Sequence, residues 1–343
     1  MKDKIKIIGL TLLVYGIPLF IWSVLPFTKG LYGNFESPIF NFLIYGKIKF
    51  SSLGIIFDLL LLYCIFLLFK KEAAIKNERI HLVYSGFKKV FCFIFLNGLK
   101  KESGLLKEEK VSLLFYFVKL FFTPIMLKFA INDTGSLIKT FYSSAIAGNA
   151  ILTLYFPLFF YLILTVDTLI FSFGYLVESP KLKNVVKSVE PTALGWLVAL
   201  MCYPPFNDFS GKILGWYSSD FSNFGNVSIN IITGFLSLLL FVIYVWASVA
   251  LGFKASNLTN RGIVSKGPYK YVRHPAYCAK NLSWWLMGIP YIKTYGFVAI
   301  FSLAVWSFIY FLRALTEERH LSQDPDYIDY AKKVKYMFIP GIF

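Results

Sequence analysis

The chain has 343 residues, of which 57% are apolar and only 16% charged. Soluble proteins carry about 45–50% apolar and about 25% charged residues. The displacement, with 37 Phe and 22 Tyr, excludes a disordered chain, a disulfide scaffold and an ordinary cytosolic enzyme, and leaves an all-α, polytopic transmembrane helical bundle.

In chain order, residues 7–27 are the first stretch that meets the helix length of about 20 residues demanded by a hydrocarbon core about 30 Å thick. Its apolar core is too long for a signal peptide, and no small-residue cleavage site follows. Residues 53–69, 111–131, 149–175 and 229–253 meet the same length. Two shorter stretches, 192–206 ending at Pro204-Pro205 and 277–292 running through Lys293 into the apolar run 295–315, bring the expected total to about eight spans. Residues 80–99 read as an interfacial helix or a re-entrant piece. The chain shows no internal repeat, which argues against an inverted-repeat transporter.

The net charge of +16 is dispersed along the chain and fits cytoplasmic loops facing anionic membrane lipid rather than nucleic acid. The basic residues alternate between connections. Lys2, Lys4 and Lys6 precede the first span. Lys70, Lys71, Lys76, Arg79, Lys88, Lys89, Lys100, Lys101, Lys107 and Lys110 lie between the second and third. Lys181, Lys183 and Lys187 follow the fourth, and Lys254, Arg261, Lys266, Lys270 and Arg273 follow the sixth. The intervening connections hold fewer: Lys29, Lys47 and Lys49, then Lys139, then Lys212. Both termini are therefore expected on the cytoplasmic side, with a bacterial inner membrane preferred to the endoplasmic reticulum. Cys64, Cys92, Cys202 and Cys278 form no CxxC pair, and His81, His274 and His320 are far apart, so no metal site is expected.

Residues 1–252 form a membrane region without assigned function, and the chemistry is expected in residues 253–343. The segment from Asn257 reads NLTNRGIVSKGPYKYVRHPAYCAKNLSWWL. Gly267-Pro268 signals a turn, and Pro275 disfavours helical geometry at His274. Backbone amides held out of regular structure beside Arg261, Lys266 and Arg273 suit a carboxylate, a phosphate or a headgroup. The plainer reading is a positive-inside loop with turn residues. A second cluster, RALTEERHLSQDPDYIDYAKKVKYMFIPGIF, follows the last span. Glu317 and Glu318 oppose the macrodipole there, so helix stability does not account for them, although Arg313 stands one turn away as a partner. Ser322 or Asp324 caps a short terminal helix, with Pro325 in its first turn. Tyr327, Tyr330, Ala331 and Val334 share one face of that helix, which lies against the membrane or over the Arg273 loop.

The hairpin between the two clusters begins and ends on one side, which brings them to the same membrane face. A cationic loop opposite a carboxylate pair clamps a zwitterion. An adenosylated amino acid offers an amino group, a carboxylate and an aromatic base together.

At Gly267-Pro268-Tyr269-Lys270-Tyr271-Val272-Arg273-His274-Pro275-Ala276-Tyr277, followed by Glu317-Glu318 and Leu321, the chain resembles the integral-membrane methyltransferases. That group includes isoprenylcysteine carboxyl methyltransferase and the phospholipid N-methyltransferases. The shared signature is a GPYxYxRHPxY stretch, a membrane hairpin, EExxL and a YxxY-bearing tail, here Tyr327, Tyr330 and Pro340. The resemblance covers the C-terminal quarter and implies S-adenosylmethionine as cofactor, bound from the cytosol. It implies cofactor-binding roles for Lys266, Gly267, Tyr269, Arg273, His274, Pro275, Tyr277, Glu317, Glu318 and Leu321, with Arg273, His274 and Glu318 as the catalytic set. Glu317 or Glu318 would meet the cofactor's ammonium, Arg273 its carboxylate, His274 its methionyl or adenosine part, and Tyr269 or Tyr277 its purine. Ala279 departs from the family, which often has Gly there.

Methyl transfer depends mainly on aligning donor and acceptor in a site shielded from water. A lipophilic acceptor, either an isoprenylcysteine-like carboxylate or a lipid headgroup amine, would explain the membrane location. A carboxylate needs no base, whereas an amine must first lose a proton. Two other readings fit the sequence less well: a membrane sterol or enone reductase using a nicotinamide cofactor, and a non-enzymatic transporter or lipid-binding protein. Reductases tend toward RHxNY variants, and Asp58, Lys119, Lys128, Asp167 and Lys280 form no evident transport relay.

Overall fold

A computed structural model describes residues 2–25, 32, 34–45, 49–70, 79–95, 104–147 and 154–341. Lys29, Lys47, Lys71, Lys76, Lys100 and Lys101 lie outside the described residues, as do Phe27, Leu99 and Asn149 at ends of expected segments. The fold is an all-α polytopic bundle. Among the described residues, 6 helices are long and apolar enough to cross a membrane. The chain divides into two compact units, residues 1–128 and 129–343.

In the first unit, α1 (Lys2–Thr11) continues through a π-turn at Leu12–Gly16 into α2 (Ile17–Val24), followed by α3 (Pro38–Tyr45), α4 (Ser52–Phe69) and α5 (Arg79–Phe95). The long α6 (Lys107–Ala147) runs through the division between units. Ser51 caps α4 by accepting the Gly54 amide at 3.1 Å, which satisfies a donor the helix cannot. Ile7, Val14, Leu67, Ile80, Val83, Leu113 and Tyr116 form the core. Between helices in a bilayer such a core is held by close van der Waals packing rather than by removal of apolar surface from water. Buried Glu109 accepts from Ser85 and Lys89 at 2.7 and 2.8 Å, fastening α5 to the start of α6. The segment expected to be interfacial or re-entrant is thus a helix with one face in this core.

The second unit contains α7 (Phe156–Leu176), β1 (Ser188–Val189), α8 (Ala193–Leu200), α9 (Phe206–Leu214), α10 (Val227–Leu251), β2 (Thr259–Asn260), α11 (Pro275–Tyr295), α12 (Phe297–Leu321) and α13 (Pro325–Lys333). Phe160 and Ile163 of α7 pack on Phe241 of α10. The α10–α11 contact includes a Ser237–Ser283 hydroxyl hydrogen bond of 2.8 Å. Trp285 donates to Ser307 at 2.9 Å between α11 and α12. Gly296, at φ +56°, separates these two helices in a conformation that glycine adopts without steric cost.

The span count is about six rather than eight. The stretch 192–206 does not cross: α8 has only 8 residues, about 12 Å of rise. The chain then turns through Met201–Pro205 and restarts as α9. The 21-residue α11 is long enough, but it carries Lys280, Asn281 and Lys293 and falls outside the six apolar helices.

Candidate active site

The site begins where α10 ends. A 3-10 turn at Gly252–Lys254 leads into β2, which pairs antiparallel with β1 in the register Ser188↔Asn260 and Val189↔Thr259. Between turn and strand, buried Asn257 ties three segments together. Its amide donates to the Tyr175 hydroxyl at 2.7 Å and its Nδ2 to the Tyr203 hydroxyl at 3.1 Å, while its Oδ1 accepts Arg313 Nη2 at 2.6 Å.

The Gly267-Pro268 signal becomes a 3-10 turn, Gly267–Lys270. Gly267 sits at φ +61°, and a Cβ there would stand 3.1 Å from Ala250 Cβ and 3.2 Å from Trp246 Nε1. Conformation and space both call for glycine. His274 takes a non-helical conformation, φ −124° and ψ 58°, immediately before Pro275 at the start of α11. This is the boundary the His-Pro pair predicts.

The two polar clusters meet. Arg273 Nε donates to Glu318 Oε1 at 2.8 Å, and His274 Nε2 lies 2.8 Å from the same oxygen. The Tyr327 hydroxyl donates to it at 2.6 Å. Glu318 is therefore the joint that holds loop, hairpin and α13 together. Glu317 accepts from the Tyr277 hydroxyl and, at 3.3 Å, from Arg313 Nε. Its second oxygen stands 3.8 Å from His274 Nδ1.

The tail completes the enclosure. Asp324 caps α13 by accepting the Asp326 amide at 3.1 Å. Tyr327, Tyr330 and Val334 pack with Ile263, Tyr269 and Leu321, so the amphipathic helix lies over the Arg273 loop. Beyond it, the Tyr336 and Met337 carbonyls accept the Arg273 and His274 amides at 3.0 and 2.8 Å. Arg273 Nη1 reaches the Val334 and Lys335 carbonyls, leaving Nη2 unengaged among the described residues. Burial, then the nearby Glu317 charge, pushes the Tyr269 hydroxyl well above the ordinary phenol range. Burial, then the bond to Glu318, does the same at Tyr327.

These elements surround a cavity with an empty volume of about 1370 Å³, including its open mouth. Tyr269, Arg273, His274, Tyr277, Glu317 and Leu321 line it. Glu318 stands behind them. Lys266 is exposed, Gly267 faces α10 and Pro275 is buried in the start of α11. Ala279 is buried and outside the lining. The wall also includes Glu190, Tyr203, Asn257, Lys280 and Arg313, which sequence reasoning did not assign to the site. Glu190 Oε1 accepts from Arg319 at 2.7 Å. Its Oε2 is buried without a hydrogen-bond partner among the described residues.

Residues 228–323 match the isoprenylcysteine carboxyl methyltransferase (ICMT) family. They run from α10 through α12 and stop just before α13. The match supports a membrane methyltransferase of that type, carried in the C-terminal part of a multi-pass chain. No curated protein gives a significant match to the chain.

Proposed function

We propose that the chain is an S-adenosylmethionine-dependent methyltransferase acting on a lipophilic acceptor, either an isoprenylcysteine-like carboxylate or a lipid headgroup amine. The observation that carries this reading is the union of the Arg273-His274 loop with the Glu317-Glu318 helix end around one cavity, within the family match.

The cavity's chemistry fits the donor. Glu317 presents a carboxylate for an ammonium, and Arg273 Nη2 is available for a carboxylate. The aromatic face of Tyr269 suits a purine, and the unpartnered Glu190 Oε2 suits hydroxyl or amino donors. When bound, the donor supplies an electrophilic methyl group on a sulfonium. The residues' part is to bind, orient and keep water away. Glu318 acts at one remove, holding Arg273 and His274 in place, and is read here as a positioning residue rather than a member of the catalytic set. Lys266, Gly267 and Pro275 shape the loop from behind.

Tyr269 and Tyr327 keep their protons at neutral pH, and Tyr327 donates its own to Glu318. Glu317 is already engaged by Tyr277 and Arg313. This favours an acceptor that needs no deprotonation, a carboxylate. The proposal includes a cytosolic approach for the donor, both termini on that side and a bacterial inner membrane.

The test is methyl-labelled donor incubated with the chain and a membrane lipid extract. Label released as volatile methanol by mild base is the expected result. Base-stable label in phospholipid would replace the carboxylate acceptor with an amine, and no transfer to any lipid would refute the methyltransferase reading.

A further inference from the structure

The cavity continues past the polar cluster along the helices. On α11, Ala276, Tyr277 and Lys280 all line it, so this wall extends nearly one and a half turns, roughly 7.5 Å, from the helix start. On α12, Arg313 and Tyr310 carry the lining inward from Glu317, and Tyr244 of α10 closes the opposite side. The inner end lies among packed helices rather than loops.

Lys280 occupies that inner end. Its Nζ stands 5.5 Å from the Trp284 ring, 5.7 Å from Tyr244 and 5.9 Å from Tyr310. The aromatic faces hold a cation, but they give its three N–H groups no oxygen acceptor. Among the described residues no carboxylate lies within ion-pair distance of Lys280 and no side-chain hydrogen bond reaches it. Asp167, whose charge acts on it, is already engaged by Tyr244 and Ser248. An ammonium among apolar helices is costly and marks function when it faces a cavity.

We propose that Lys280 is a specificity-determining residue that binds the anionic oxygens, carboxylate or phosphate, of the lipophilic acceptor at the inner end of the cavity. This assignment rests on the methyltransferase reading. Lys280 stands one helical turn from Tyr277, which touches Glu317, so an anion held there adjoins the polar cluster. Together with Arg313, Lys280 disfavours an acceptor whose head carries only positive charge.

The test uses the full chain in phosphatidylcholine nanodiscs, with binding of dodecanoate, dodecyl phosphate, methyl dodecanoate and dodecylamine read by tryptophan fluorescence. The expected result is at least tenfold tighter binding of one or both anions than of the ester and amine. The dodecanoate and dodecyl phosphate arms show which anion the site takes. Lys280→Met should abolish the preference and Lys280→Arg retain it, with S-adenosylhomocysteine stabilising all three proteins against heat to the same extent. An anion preference unchanged in Lys280→Met, or no preference in the parent protein, overturns the role of Lys280 alone. Failure of S-adenosylhomocysteine to stabilise the parent protein overturns the donor reading and the acceptor role with it.

Discussion

Arg273 and Glu318 meet at 2.8 Å across the open end of the α11–α12 hairpin. The same carboxylate oxygen receives His274 and Tyr327. Hydrogen bonds to charged groups contribute about 1.5–3 kcal/mol each, and three on one atom make this joint strongly non-additive. Glu318→Gln should lower thermal stability in detergent. A double-mutant cycle with Arg273→Lys should return a coupling of about 0.5–3 kcal/mol. Additive losses would mean that the two side chains do not act together.

Glu317 faces the cavity and Glu318 does not, so the two adjacent carboxylates should separate in function. Glu317→Ala should weaken S-adenosylhomocysteine binding by about 10–100-fold, the loss of a charge-assisted contact, and should lower the unliganded melting temperature as well, because Tyr277 and the buried Arg313 lose an acceptor. Glu318→Ala should lower that melting temperature more. Calorimetric titration and thermal melts distinguish the two patterns.

Acid should release the tail. Burial alone would raise the Asp324 carboxyl, but the Asn260 amide at 2.8 Å and the Lys187 ammonium at 3.1 Å outweigh it and hold Asp324 below the usual carboxylate range. A depressed carboxyl stabilises fully above its unfolded value of about 3.9 and loses that contribution as pH falls through the lower folded value. Asp324→Asn keeps a capping side chain while removing the titration. Hydrogen exchange in α13 should therefore accelerate below about pH 4 in the parent protein and depend less on pH in the variant.

Gly267→Ala forces a Cβ onto a left-handed residue against Ala250 and Trp246. The conformational cost is about 1–2 kcal/mol, and the turn carries Tyr269 into the cavity wall. The melting temperature should fall, and S-adenosylhomocysteine affinity with it. A variant as stable as the parent would show that the turn readjusts freely.

Local rules made much of this legible in sequence. Pro275 held His274 out of helix and put the expected start of α11 near Tyr277, two residues after its observed start at Pro275. Ser322 and Asp324 were both candidate caps of α13, of which Asp324 is the one used. The shared side of the hairpin ends brought Arg273 toward Glu318. The stretch 192–206 misled because its composition is apolar throughout, while the turn through Met201–Pro205 cuts its helix to α8. Tyr203, Asn257 and Glu190 carried no periodic signal. They reach the cavity through contacts between distant segments, such as the Asn257 bonds to Tyr175 and Arg313. Lys280 was visible as a charge in an apolar run, but its aromatic surroundings come from α10 and α12 as well as its own helix.

The most direct measurement is equilibrium dialysis of methyl-labelled S-adenosylmethionine against the purified chain in nanodiscs. Saturable binding at one site per chain, weakened at least tenfold by Glu317→Ala, is the predicted result. Absence of saturable binding in the parent protein, or binding indifferent to Glu317, would contradict a donor site built from the Arg273 loop and the end of α12.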